Sequence, residues 1–157
     1  MTNNLHTQVT EYLDKQQVSF RLLPHQTPAV SIEDAAHQRG IDPRIMVKCI
    51  LLKDMGGQFA LACVPGDKQA DPKKVRAVLS SRRMTCASAP EIESLTGYSL
   101  GCVTPLLLAT PMPIIFDRQI TSLTRVTISS GSNMAGIELL TSDLLSLLSP
   151  TFAEITR

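Results

Sequence analysis

The spacing of apolar residues along the chain alternates between a helical period and a strand period. Leu5, Val9, Tyr12 and Leu13 recur at helical spacing, which predicts an amphipathic helix over residues 4–17. Short apolar runs separated by turn residues are typical of strands. Strands are predicted at 18–23, 46–53, 58–64, 84–87, 114–117, 125–129 and 136–140, and the last two are expected to pair with each other.

Capping residues predict where the remaining helices begin and end. Ser31 is a candidate N-cap and Gly40 a candidate C-cap, which together predict a helix over 32–39. Asp71 and Pro72 are typical of a second helix start. A capping box from Ser88 predicts a third helix up to about residue 95, and Thr141 or Ser142 is expected to cap a fourth.

The distribution of these elements predicts the fold class. The Gly56-Gly57 pair supplies the backbone freedom that a tight hairpin turn needs between the strands at 46–53 and 58–64. Helices are scattered among short strands, so the chain is predicted to be α/β, with a mixed, curled, barrel-like sheet and helices packed outside. Its 157 residues are expected to form a single domain over 1–157.

Composition excludes several classes of protein. The chain is 43% hydrophobic and 18% charged, as in an ordinary soluble globular protein. The first residues do not have the pattern of a secretory signal, and no apolar run is long enough to span a membrane. A cytoplasmic protein without a membrane partner is therefore expected.

The cysteines and histidines do not form a metal-binding pattern, so neither a metal nor another cofactor is expected. Three cysteines are interpreted as reduced core residues, and the fourth lies in a polar loop. The residues concerned are Cys49, Cys63, Cys86 and the loop residue Cys102, with His6, His25 and His37 dispersed among them.

A polar segment over 96–105 is the main candidate for an active site. Gly101 can adopt backbone angles that other residues avoid, and Pro105 restricts the residue before it. Such a turn can direct several N–H groups at one oxygen, as an oxyanion-binding loop does. The alternative is an ordinary connection between two elements.

Lys48 is the second candidate, because its neighbours in the strand at 46–53 are nearly all apolar. A lysine rarely stays buried unless it is paired or used. The alternative is that Lys48 lies on the solvated face of an edge strand, with its ammonium in water.

Positive charge is concentrated between residues 67 and 83, where six basic residues stand against two acidic ones. Such a patch suits the end of a polyanion, although it is also compatible with a normally solvated helix face. The basic residues are Lys68, Lys73, Lys74, Arg76, Arg82 and Arg83.

Four motifs in this order carry a resemblance to a known family. They are Val47 to Leu52, Val64 to Lys74, Gly97-Tyr98 continuing through Gly101 to Pro105, and Ser129-Ser130-Gly131. Together they resemble the YbaK/prolyl-tRNA synthetase editing-domain family of aminoacyl-tRNA deacylases, over about residues 22–148. The resemblance also implies a mixed, barrel-like α/β fold.

The resemblance implies a trans-editing enzyme that hydrolyses the ester between a small mischarged amino acid and a tRNA, without a metal. Gly101 would stabilise the oxyanion, Lys48 would hold the terminal phosphate or ribose, and the substrate would assist the attacking water. The implied partners are the acceptor end of the tRNA, of the tRNA(Pro) type, and a synthetase that could deliver it. The implied substrate-binding residues are His25 and Thr27 at the mouth of the pocket, Cys102, Val103, Thr104 and Pro105 in the loop, and Ser129, Ser130 and Gly131 in the pocket wall. The residues implied to bind the tRNA are Lys68, Lys73, Lys74 and Arg76.

The chain departs from some relatives after the second turn, where Met134 to Ile137 precede the first carboxylate, Glu138. The identity of the amino acid that is removed is therefore left open among three small candidates, alanine, serine and cysteine. Two other functions remain open at this point. One is a non-catalytic module that binds tRNA ends or a synthetase, and the other is a hydrolase that uses Cys102 as its nucleophile.

Overall fold

The computed structural model describes residues 5–157, and these residues form a mixed α/β structure with five α-helices and eight strands. The helices are α1 Gln8–Lys15, α2 Ile32–Arg39, α3 Pro72–Leu79, α4 Ala89–Thr96 and α5 Thr141–Leu148. The strands are β1 Phe20–Pro24, β2 Val47–Asp54, β3 Phe59–Pro65, β4 Met84–Cys86, β5 Ile114–Asp117, β6 Arg125–Ser129, β7 Ala135–Leu140 and β8 Thr151–Ala153. Short 3₁₀ helices cover Pro43–Ile45 and Arg118–Ser122.

The strands form two sheets. The larger sheet has the order β4-β2-β3-β5-β8, and its β2–β3 hairpin places Lys48 opposite Val64. The smaller sheet has the order β1-β7-β6 and is antiparallel throughout. A single parallel bridge between Met46 and Thr127 links the start of β2 to β6.

Most of the hydrophobic core lies between these sheets. Val47, Leu51 and Phe116 from the larger sheet share one buried cluster with Ile128 and Leu139 from the smaller sheet. The opposite face of the larger sheet is covered by α3, whose Val75 packs with Leu52 and Val64 in a second cluster. Because successive side chains of a strand alternate between faces, β2 contributes to both clusters.

The main predictions about fold and helix caps are confirmed. Ser31 accepts a hydrogen bond from the Asp34 N–H, and Gly40 ends α2 in the left-handed conformation. Asp71 caps α3, and the capping box of α4 is present. The 46–53 and 58–64 segments form the predicted hairpin, and β6 pairs with β7.

Several details of the predictions are wrong. Neither Thr141 nor Ser142 caps α5, because the helix already begins at Thr141 and its N-cap, Leu140, makes no side-chain cap hydrogen bond. Strand β8 was not predicted, and Cys86 is exposed rather than in the core. The described strands form two open sheets instead of one curled, barrel-like sheet.

The predicted first helix is shorter than expected, since α1 begins after a capping box at Thr7 and ends at Lys15. Position 4 of that prediction lies outside the described residues. Within residues 5–157, none of the helices combines the length and apolarity that crossing a membrane requires.

Candidate active site

A cavity of about 530 Å³ opens beside the first half of β2. Strand β4 pairs with β2 at Leu52–Asp54, and the Ala87 N–H donates to the Leu51 carbonyl, which leaves the segment 47–50 free on that side. The cavity is bounded by this free edge, by α2 with the loop before it, and by the loop around Gly101. Residues far apart in the chain therefore share one cavity.

Lys48 lines the cavity and is half-buried. Burial lowers the pKa of its ammonium, while the carboxylates of Glu33 and Asp67 oppose that change. No described carboxylate lies within ion-pair distance of this ammonium. The lysine is thus a cation at the cavity wall that is available to a ligand.

The loop around Gly101 lines the same cavity and contains main-chain donors without a partner among residues 5–157. Gly101 has φ +87°, a conformation that favours glycine, and both Gly101 and Val103 line the cavity. The Cys102 N–H donates to the Ser99 carbonyl, whereas the N–H groups of Gly101 and Val103 make no hydrogen bond to any residue from 5 to 157. A pair of free amides of this kind can stabilise an oxyanion.

Ser129 joins this loop to the turn that follows β6. Its hydroxyl donates to the Cys102 carbonyl at 2.9 Å and accepts from the Gly131 N–H at 3.0 Å. Gly131 itself has φ +93° and lies against the Tyr98 ring. Because the proton of Ser129 is committed to a carbonyl, this hydroxyl holds the two turns together and is not placed as a nucleophile.

The structure brings five of the predicted catalytic and substrate-binding residues to the cavity: Lys48, Gly101, His25, Val103 and Ser129. The others lie elsewhere, so their predicted contacts with substrate stay predictions. Cys102, Thr104, Pro105 and Ser130 are buried behind the wall, Gly131 lies in the second turn, and Thr27 is exposed and bonded to Gln38.

Cys102 has the environment of a core residue. The residue is 7% exposed, and burial raises the pKa of its thiol. A catalytic cysteine needs the opposite change, because the thiolate is the nucleophile. The Cys102-dependent hydrolase is therefore disfavoured.

Sequence reasoning missed Arg39, which also lines the cavity. Its Nε donates to Nε2 of His25 at 3.0 Å, and its Nη1 donates to the Thr127 hydroxyl at 3.2 Å. An arginine in the last turn of a helix is usually explained by the helix dipole, so its position gave no signal. Gly136, an isolated glycine inside a strand, was the available signal of a close approach.

The predicted tRNA-binding residues lie outside the cavity, on α3 and on the turn before it. Lys68, Lys73 and Arg76 are exposed. Lys74 already has partners in the protein, since its ammonium donates to the Thr156 carbonyl at 2.7 Å and lies 3.5 Å from the carboxylate of Glu154. Their role in binding tRNA stays a prediction.

Comparisons with known proteins identify the family. A family model described as an aminoacyl-tRNA editing domain matches residues 26–147. EbsC of Enterococcus faecalis, which is named as a candidate Cys-tRNA(Pro)/Cys-tRNA(Cys) deacylase, is 25% identical over 127 residues, covering 81% of this chain and 77% of EbsC. The multifunctional Ser/Thr-tRNA deacylase ProXp-y of Escherichia coli K12 is 24% identical over 160 residues, covering 97% of this chain and 93% of that protein.

The fold agrees with a solved structure. The crystal structure of the hypothetical protein APE2540 has a TM-score of 0.88 and 25% identity, covering 96% of this chain and all of that one. The matched family model spans most of the chain, including Lys48, Gly101 and Ser129. The chain therefore belongs to the aminoacyl-tRNA editing domain family, the family of the trans-editing deacylases.

Proposed function

We propose that this protein is a free-standing deacylase that removes a small mischarged amino acid from tRNA, with alanine, serine and cysteine as the candidates and tRNA(Pro) as the preferred tRNA type. The observation that carries the proposal is that Lys48 lines one cavity together with Gly101 and Val103, whose amides have no partner among residues 5–157. A cation and main-chain donors at one place suit an ester attached to a polyanion.

In the proposed reaction, water attacks the ester carbonyl and negative charge grows on the carbonyl oxygen. The amides of Gly101 and Val103 stabilise that charge, since they have no partner among the described residues and need no rearrangement. Lys48 holds the terminal phosphate or ribose and orients the ester. The ester bond then breaks, and the free amino acid and the tRNA hydroxyl leave.

Proton transfer is assigned to the substrate and its water. No Asp or Glu lines the cavity within the described residues. The imidazole of His25 lines it, but both ring nitrogens are engaged, one with the Asn133 carbonyl and the other with Arg39. A ribose hydroxyl or a positioned water is therefore the better proton acceptor, and proximity supplies much of the acceleration.

The preference for a small amino acid draws support from the relatives, whose names give Cys-tRNA(Pro), Cys-tRNA(Cys) and Ser/Thr-tRNA as substrates. The name of EbsC also motivates tRNA(Pro) as the preferred tRNA, and a synthetase that delivers this tRNA stays a prediction. Size alone discriminates weakly, at about 1–3 kcal/mol for each methylene. More than one small amino acid is thus expected to be removed.

The test is a panel of tRNAs, each charged with a different amino acid, incubated with the pure protein in the presence of a chelator. We expect hydrolysis of at least one tRNA that carries alanine, serine or cysteine, and slower hydrolysis of the same amino acid on a tRNA other than tRNA(Pro). If no member of the panel is hydrolysed faster than in buffer alone, the proposal is wrong.

A further inference from the structure

The guanidinium of Arg39 is the feature of the cavity that the proposed function leaves unused. Arg39 is the last residue of α2, and it reaches the smaller sheet through His25 and Thr127. Its remaining N–H groups, including those of Nη2, make no hydrogen bond to any residue from 5 to 157. No carboxylate in the same range pairs with it.

The position of this guanidinium is fixed from several sides. Nδ1 of His25 lies 2.7 Å from the Asn133 carbonyl, which can only accept, so Nδ1 carries the proton and Nε2 is free to accept from Arg39. On the strand side, a Cβ at Gly136 would collide with Cζ and Nε of Arg39. Glycine at 136 therefore makes room for the guanidinium against the backbone of β7.

Keeping this positive charge away from water costs free energy unless an anionic group pairs with it. Burial lowers the pKa of Arg39 to about 10, so the side chain stays charged at neutral pH. Arg39 is half-buried, and a charge that is largely withdrawn from water normally has a partner. Because the structure positions the side chain and provides no carboxylate among residues 5–157, the missing partner is expected to come from the ligand.

The charge of the whole cavity indicates what that ligand carries. Lys48 and Arg39 are the charged residues that line it in the described part of the chain, and both are cationic. The protonated amino group of an aminoacyl ester would be repelled by two cations. The end of a tRNA can enter favourably only if an anionic group of the same molecule enters with it.

We propose that Arg39 binds the phosphate that joins the terminal adenosine to the preceding nucleotide of the tRNA. The proposal rests on the proposed function for the identity of the polyanion. A guanidinium matches two phosphate oxygens through a planar fork, whereas an ammonium acts as a point charge. Arg39 therefore takes the phosphate, and Lys48 is left to contact the ribose and the ester.

The test compares two stable analogues, 3′-deoxy-3′-(L-alanylamino)adenosine with and without a 5′-phosphate, titrated calorimetrically into the full chain. We expect the phosphorylated analogue to bind the unchanged protein at least about tenfold more tightly, as one charge-assisted contact predicts. Arg39→Met should abolish this preference. Arg44→Met is the matched control, since Arg44 is exposed and lies outside the cavity.

Three results would overturn the proposal. One is equal binding of both analogues by the unchanged protein. Another is a phosphate preference that survives in Arg39→Met, which would assign the phosphate to another group. If Arg39→Met does not fold, two measurements replace it: the binding of both analogues by Arg39→Lys, and a crystal structure of the unchanged protein with the phosphorylated analogue. In that structure, a phosphate that lies beyond about 4 Å from the guanidinium contradicts the proposal.

The failure of this inference is distinguishable from the failure of the proposed function. Lys48→Ala should slow the hydrolysis of aminoacyl-tRNA and keep the phosphate preference. A protein that hydrolyses aminoacyl-tRNA but binds both analogues equally refutes the role of Arg39 alone. A protein with the Arg39-dependent preference and no hydrolysis of any charged tRNA refutes the proposed function alone.

Discussion

At the scale of single residues, Lys48 is the side chain whose position in the sequence is hardest to explain by packing. It stands between Val47 and Cys49 in a strand that contributes to the core, and it reaches a cavity instead of bulk solvent. Its proposed role in binding the substrate predicts that removing the ammonium lowers the activity strongly.

We expect Lys48→Ala to lower kcat/KM for a mischarged tRNA by roughly 10- to 100-fold, as the loss of a contact to a charged group predicts. Single-turnover hydrolysis at several enzyme concentrations would measure this effect. Lys53→Ala is the matched control, because Lys53 lies on the same strand but pairs with Glu91 outside the cavity. If Lys48→Ala is as active as Lys53→Ala, Lys48 has no role in the reaction.

His25 makes a second prediction at this scale, which concerns stability. Burial lowers the pKa of its imidazole below 6.5, and the Arg39 cation acts in the same direction, while the Asn133 carbonyl and the Asp34 carboxylate oppose both. In the pH window between the lowered pKa of His25 in the folded chain and the ordinary value of 6.5, the unfolded chain binds more protons than the folded chain. Stability should therefore rise with pH through that window and level off above it.

The measurement is chemical denaturation from about pH 5 to about pH 8, where histidine titrates. His25→Gln keeps a donor and an acceptor but removes the titration, so the rise should be reduced in this variant. His37→Gln, at an exposed position on α2, should behave like the unchanged protein. An identical pH profile for His25→Gln would contradict the assignment.

At the scale of elements, the loop between α4 and β5 depends on the backbone conformation of Gly101. Nothing lies within 4 Å of a Cβ built there, so an added methyl group meets no steric obstacle and only the positive φ is disturbed. The effect of substitution should then be local. The amides around Gly101 should shift relative to the substrate.

We expect Gly101→Ala to cost about 1 kcal/mol of stability and to lower kcat by about 100-fold, the effect of misplacing an oxyanion donor. Gly57→Ala is a close control, since Gly57 has the same φ of +87°, an equally open position and a place in the β2–β3 turn. Gly57→Ala should lose a similar amount of stability, measured by chemical denaturation, and keep full activity. Loss of activity in both variants would indicate a general effect of destabilisation.

At the scale of the whole molecule, the exposed basic residues of α3 lie apart from the cavity, on the helix that covers the outer face of the larger sheet. They can add affinity for tRNA only through a part of the polyanion beyond its terminal nucleotide. That contribution would be electrostatic and therefore sensitive to salt.

We expect the double variant Lys73→Glu/Arg76→Glu to weaken tRNA binding at low salt and to reduce the slope of log affinity against log salt by about 1 to 2. Fluorescence anisotropy with uncharged tRNA would measure both quantities. The control is Arg118→Glu/Arg125→Glu, which reverses two exposed charges elsewhere. Equal weakening by both variants would indicate an effect of net charge alone.

The sequence by itself determined the features that depend on neighbouring residues. Ser31 and Gly40 define the ends of α2, and Gly56 and Gly57 place the hairpin, because caps and turns act over a few positions. The same locality explains why Lys48 could be singled out, since a charge inside an apolar run is visible without any tertiary contact.

Only the tertiary structure decided how those elements meet. The division into two sheets depends on pairing between distant strands, such as β1 with β7, which periodicity does not encode. The cavity likewise joins segments near residues 25, 48, 101 and 129, and Arg39 became part of it only when α2 packed against β6 and β7. Long-range packing brings these side chains together. The isolated Gly136 indicated a close approach to β7, but no local pattern indicated that the approaching group is the guanidinium of Arg39.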